Sequence, residues 1–207
     1  MYDGLKNQFL PREYYLNTNV VDIARNLLGK HLITCFDGNY TESRIVETEA
    51  YQGPEDQASH ARNGLLSNRN AVMYEAGGYA YVYLIYGIHH LFNVVTAPKG
   101  VPHAVLIRAV EPLQGIKVMM NRRNRSDAGP GLTAGPGILS KALGINTNHS
   151  GMDLCYEEAL IQLHYCKAID ENNILSRPRV GVDYAGEWAK RPWRFSIRNN
   201  RWVSKAR

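Results

Sequence analysis

Between Asn19 and Gly29 the apolar residues Val20, Val21, Ile23, Ala24, Leu27 and Leu28 recur with a period near 3.6, which predicts a helix stopped at Gly29. The period then changes to two. His31–Phe36 reads as a strand, Asp37-Gly38 as a hairpin turn, and Tyr40–Tyr51 as its partner strand. Gly53–Asn70 is polar and loop-like, with room for a short helix after Pro54. Tyr79–Tyr86 is the clearest strand of the chain, and Leu91–Ala97 follows across Gly87 as a second hairpin. Ala104–Val110 is almost wholly apolar, which predicts a central strand ended by Pro112. Leu113–Met120 reads as a helix, and residues 121–136 as a Gly/Pro/Asn/Arg-rich loop. Ile138–Leu143 reads as a short helix opened by GPG, and Leu160–His164 as a strand. Val180–Ala189 and Trp193–Ile197 read as closing strands and turns.

No βαβ alternation appears, so a doubly wound sheet is not expected. The pattern predicts one α+β domain over residues 1–207, with a curved, mostly antiparallel, barrel-like β-sheet surrounded by helices. At 207 residues and 44% hydrophobic content the chain can bury a sizeable core, and disorder is not expected. The opening stretch, residues 1–15, is polar and has no apolar signal core. No apolar run approaches the roughly 18 residues of a membrane helix. Cys35, Cys155 and Cys166 fit no zinc spacing. The expectation is a soluble cytoplasmic protein with reduced thiols, no membrane partner, no metal and no cofactor.

The formal net charge is +5, which suits either an ordinary basic protein or one with a polyanionic partner. Arg122, Arg123 and Arg125 cluster together, and a second basic group runs from Lys190 to Arg207. The first could be a solvated loop and the second a mobile tail. There is no GxGxxG fingerprint, phosphate-binding loop or GxSxG elbow, so dinucleotide, NTPase and serine-hydrolase chemistry are poorly supported.

What remains is acid, aromatic and arginine chemistry. VETEAY, residues 46–51, places Glu47, Glu49 and Tyr51 on one strand face. Glu49 beside Tyr51 could act as a general base toward water, or could simply face solvent. His60 could be a base, a stacking partner or a loop residue. Tyr79, Tyr81 and Tyr83 share a face and Tyr86 emerges beside Gly87. Such tyrosines suit stacking on nucleobases or, equally, cross-strand aromatic pairs. Arg108, inside VLIRAVEP, must find an anionic partner, with Glu49 and Glu111 the candidates. Asn93, in an apolar frame, should be hydrogen-bonded or directed into a cleft.

The stretches VETEAYQGPEDQASHARNG (46–64), YAYVYLIYGIHHLFNVV (79–95), AVLIRAVEPLQG (104–115), GPGILSKALGI (135–145) and RVGVDYAGEWAKRPWRF (179–195) together resemble the alkyladenine type of 3-methyladenine DNA glycosylase, found in bacteria and mammals. The resemblance covers nearly the whole chain from Asn19 to Val203 in the same order. It implies a monofunctional DNA repair enzyme. Such an enzyme flips alkylated or deaminated purines out of double-stranded DNA and hydrolyses their N-glycosidic bond. By this resemblance Glu49 deprotonates the attacking water, and Arg108 and a backbone carbonyl at Val182 hold it. Tyr51, His60 and Tyr83 form the base pocket, Asn93 hinders guanine's exocyclic amino group, and Tyr86 fills the gap left in the duplex. Ile88 and His89 stand where mammalian members carry other bulky residues, so wedge contacts are expected to differ.

Three further expectations follow. The helix start at Gly135–Gly137, with Lys141 near, offers a phosphate contact, although simple capping would look the same. Arg108 should lower the pKa of Glu49 and keep it ionised. The protein should act as a monomer in the bacterial cytoplasm. A hydrolase of free nucleosides and a non-catalytic nucleic-acid module are the competing readings.

Overall fold

The computed structural model describes residues 9–205; residues 1–8 and 206–207 lie outside them. Two short helices, α1 (Arg12–Tyr15) and α2 (Val20–Asn26), come first. The side chain of Asn19 caps α2 by accepting from the Asp22 N–H at 3.2 Å. The first hairpin, β1 (His31–Phe36) and β2 (Asn39–Gln52), turns at Asp37-Gly38, both at positive φ. The second joins β3 (Ala80–Ile85) to β4 (His89–Thr96). β5 (His103–Gln114), α3 (Ile116–Arg123) and α4 (Pro136–Leu143) follow. β6 (Ile161–His164), β7 (Ile174–Arg177) and β8 (Arg194–Ile197) complete the chain.

All eight strands belong to one antiparallel sheet in the order β3-β4-β5-β2-β1-β6, with β8 on β2 and β7 on β8. Among the described residues no pairing joins β3 to β6, so the sheet stays open. β2 is its spine: it pairs with β5 along one side and with β1 and then β8 along the other. The β2–β5 register slips at Glu42/Ser43 and twice around Glu47. Such bulges bend a strand and re-aim its side chains.

The two faces of the sheet are sorted by alternation. On β5, Val105 and Ile107 join the main core, whereas Ala104, Leu106 and Arg108 face a cavity on the other side. β4 repeats the division, with Phe92 and Val94 in the core and Leu91 and Asn93 in the cavity. On β2, Ala50 packs into the core and Glu49 and Tyr51 look the other way. Val20, Ile23 and Ala24 of α2, with Leu27 at its C-terminal cap, belong to the core beneath that first face. β5 therefore reads as continuously apolar because both its faces are covered, and it is central, as expected.

Several boundaries differ from expectation. Pro112 does not end β5, which runs on to Gln114. The ring sits opposite Ser43 at the register slip, where a missing N–H costs no regular ladder bond. α3 accordingly starts at Ile116, after a left-handed Gly115, and not at Leu113. No helix follows Pro54; the loop is a series of turns with one 3₁₀ turn at Arg62–Gly64. Val180–Ala189 is not a strand but a loop leading into a 3₁₀ helix at Asp183–Trp188. Positive φ at Gly181 and Gly186 breaks any extended run. The basic group from Lys190 is no tail over its described part: Arg194 is buried in β8, and Arg191 lies against the contacting rings of Trp188 and Trp193. Arg122 and Arg123 lie in the last turn of α3, half-buried, where positive charge suits the helix terminus.

Candidate active site

The cavity on the second face has a volume of about 580 Å³, within the range of small-molecule sites. Nine residues singled out from the sequence line it together: Glu49, Tyr51, His60, Tyr83, Tyr86, His89, Asn93, Arg108 and Val182. They come from β2, β3, β4, β5, the loop after Pro54 and the segment after Arg179. Ile88 is exposed at the hairpin tip but does not line the cavity. Lys141 is exposed in the last turn of α4, a full turn beyond Gly135–Gly137, so it does not stand beside that helix start. Gly135 to Ile138 do form part of the cavity wall.

Glu49 is fully buried at the floor. Its Oε1 accepts from the Val180 N–H at 2.8 Å and lies 3.3 Å from an Arg108 guanidinium nitrogen. Its Oε2 accepts from the Tyr51 hydroxyl at 2.8 Å. Burial lifts the carboxyl above the usual range, while Arg108, the Val180 N–H and Tyr51 pull it back. Arg108 lowers it, as expected, but burial outweighs the lowering and the net shift is upward. A carboxylate raised in this way is a stronger proton acceptor.

Glu47, two residues earlier, is equally buried but does not line the cavity. It accepts from Arg194 at 3.0 Å, the Ser204 N–H at 2.9 Å and Arg108 at 3.3 Å. Arg108 thus bridges the two glutamates. Glu111 is not its partner: that carboxylate pairs with Arg44 on β2.

Aromatic rings make the walls. Tyr81 and Tyr83 sit side by side on β3, centroids 5.4 Å apart, and His60 meets Tyr83 edge-on at 4.5 Å. The His60 Nδ1 and the Tyr81 hydroxyl are hydrogen-bonded at 2.7 Å. Burial, then Arg69 and Arg62, push His60 down to about 4, so its imidazole is uncharged near neutral pH. Burial holds the phenols of Tyr51 and Tyr83 in the protonated form, well above their ordinary value. The Asn93 amide donates to the carbonyls of Tyr81 and Leu91 at 3.1 and 3.2 Å, so it is both hydrogen-bonded and directed into the cleft. The Val182 carbonyl accepts from the Ala185 N–H at 2.9 Å, which leaves one lone pair toward other donors.

At the rim Tyr86 is 85% exposed. It and Gly87 both have positive φ, at 53° and 71°, and the Ile88 N–H donates to the Ile85 carbonyl at 3.2 Å. Two consecutive residues at positive φ are what a tight hairpin of type I′ needs. Gly137 of α4 packs against this hairpin, where an added Cβ would lie 2.8 Å from the His89 side chain.

Two supports were not foreseen from the sequence. Arg179 and Asp56 are a fully buried ion pair. Arg179 also donates to the Ala50 and Trp188 carbonyls and lies 4.7 Å from the Tyr51 ring centroid. Asp56 accepts from the Gln52 and Ala58 N–H groups and so shapes the loop carrying His60. Tyr184, two-thirds exposed, lies on the rim and its hydroxyl reaches the Ala58 carbonyl at 3.3 Å. Asp56 in GPED and Arg179 in RVGV sit inside quoted motifs; only their buried charge could have singled them out. Nothing in sequence marks Val180, because its contribution is a main-chain N–H.

The Methylpurine-DNA glycosylase (MPG) family profile matches residues 14–201. A relative from Natranaerobius thermophilus is 44% identical over 191 residues, 92% of this chain and 96% of its own length. One from Chlamydia felis is 43% identical over 91% of this chain and 95% of its own. One from Anaeromyxobacter dehalogenans is 46% identical over 95% of this chain and 86% of its own. All three carry the provisional name 3-methyladenine DNA glycosylase.

Proposed function

The chain belongs to the methylpurine-DNA glycosylase family, and from that premise we propose that it starts DNA repair by hydrolysing the N-glycosidic bond of 3-methyladenine and other alkylated purines. Hypoxanthine and ethenoadenine are further substrates on this reading, and the base is flipped out of duplex DNA before it is cut. The observation that carries it is a buried, donor-held Glu49 at the floor of an aromatic cavity whose rim carries the exposed Tyr86.

A base inside a duplex is sealed by pairing and stacking, and extruding it costs a few kcal/mol. Tyr86 enters the stack and occupies the vacated space, as apolar wedges do in bent DNA. The extruded purine lies against Tyr51, His60 and Tyr83, with Asn93 opposing an exocyclic amino group at the guanine position. Water attacks C1′ of the sugar, its proton passes to Glu49, and the C1′–N bond electrons leave with the base. A 3-alkylated or 7-alkylated purine is already cationic and leaves neutral. Arg108 and the free lone pair of the Val182 carbonyl orient the water. Since His60 is uncharged at neutral pH, it stacks and stores no proton, so a neutral base leaves with the bond electrons as its anion and takes a proton from solvent water. Water being the nucleophile, the product is an abasic site in an unbroken strand. The protein works as a monomer, as one glycosylase domain spanning residues 1–207.

Glu49→Gln tests this directly. Release of 3-methyladenine from a duplex should fall by about 10²–10⁴-fold, the usual worth of a general base, while lesion-duplex binding persists. Near-normal release would remove Glu49 from its role.

A further inference from the structure

We propose that Arg69, stacked on the outer face of Tyr83, sets how strongly the cavity prefers a cationic base over a neutral base of the same shape. The proposal rests on the function just proposed and deepens it.

Tyr51 and Tyr83 line the cavity, and each carries a guanidinium: Arg179 at 4.7 Å from the Tyr51 centroid and Arg69 at 5.0 Å from the Tyr83 centroid. Neither arginine lines the cavity. Arg69 instead sits in a shallow depression with Tyr83, Leu84, Thr147 and Ser150, and donates to the Leu84 carbonyl at 3.3 Å. Each guanidinium therefore lies behind its ring as seen from the cavity.

The two arginines differ in compensation. The charge of Arg179 is offset by Asp56 in a buried ion pair. Arg69 has no carboxylate partner among the ion pairs of the described residues. A tyrosine face attracts a cation through its electron-rich centre. With one cation already on the outer face, the inner face offers less to a second, and the two positive charges also repel through the ring. A neutral base loses neither interaction. Charges separated by a stacked ring, one of them exposed to screening solvent, should alter relative affinity roughly threefold to tenfold. The same side chain also helps hold His60 uncharged, so the wall as a whole is set against excess positive charge.

The test compares two duplexes, one with 3-methyladenine and one with 3-methyl-3-deazaadenine, which keeps the shape and lacks the charge. Binding is measured in the Glu49→Gln protein, so neither base is released, at one fixed ionic strength. Adding Arg69→Gln should raise the preference for the cationic duplex by roughly threefold to tenfold. Adding Arg69→Lys, which keeps the charge, should leave it near the starting ratio. An unmoved ratio in Arg69→Gln, or equal weakening on both duplexes as for a mere phosphate contact, overturns the proposal. If the Glu49→Gln protein prefers neither lesion duplex over undamaged DNA, the functional reading has failed; if it does and the ratio stays put, only the role of Arg69 has.

Discussion

Glu47 and Glu49 are two positions apart, share a strand and are both buried, yet their surroundings divide their work. Glu47 is saturated by Arg194, Arg108 and a main-chain N–H and has no access to the cavity. Glu49 faces open space with its carboxyl raised by burial. The consequences for pH run in opposite directions. A carboxyl whose folded-state pKa is raised contributes stability that is fully present below the unfolded pKa and lost as pH rises through the folded pKa. The proposed reaction needs the ionised form, so base release should decline as pH falls through the same raised value. Glu49→Gln should therefore increase the melting temperature most above that pKa and least in acid, while removing the acid limb of the rate profile. A variant that is less stable than the parent at pH 8 would contradict the upward shift.

At the scale of elements, the loop over 53–62 and the segment over 178–188 are joined to each other by one ion pair. Asp56 organises the first, Arg179 the second, and both touch the structure that holds Tyr51. Asp56→Asn should cost about 3–5 kcal/mol, because it leaves a buried guanidinium uncompensated. Urea denaturation measures this, and a loss under about 1 kcal/mol, typical of exposed pairs, would show that solvent reaches the pair. Much of this scaffolding was legible beforehand. Alternation identified the hairpins, and an unbroken apolar run identified the central strand, because both of its faces are covered. The gathering of Glu49, Tyr51, His60, Tyr83 and Asn93 followed from the motif resemblance, not from periodicity. What escaped has physical reasons. The course of β5 past Pro112 depends on a register slip that no local pattern encodes. The strand β7 is four residues of mixed polarity, ordered by pairing with β8. The partner of Arg108 could not be told from Glu111, since Arg44 claims that carboxylate from a strand distant in sequence.

For the whole molecule, the net charge of +5 and the cavity's position on an open sheet face govern how a polyanion would approach. Arg122, Arg123 and Arg125 gather around the end of α3, and Arg191 and Arg201 lie toward the other end of the chain, whereas Arg194 is buried and paired with Glu47. On the proposed function, the affinity for duplex should fall linearly with salt on logarithmic axes, with a slope near −0.9 for each neutralised phosphate. Titration across ionic strengths checks this, and a flat response would count against phosphate anchoring. The hairpin of β3 and β4 carries Tyr86 at its tip, Tyr83 along one arm and Asn93 along the other, in fixed register. On the proposed function, one ribbon would bear both the probe that pries and the surface that receives. Their spacing is cut into the main chain, so on that reading driving the probe home and presenting the receiving surface would be a single stroke, with no second motion left to synchronise.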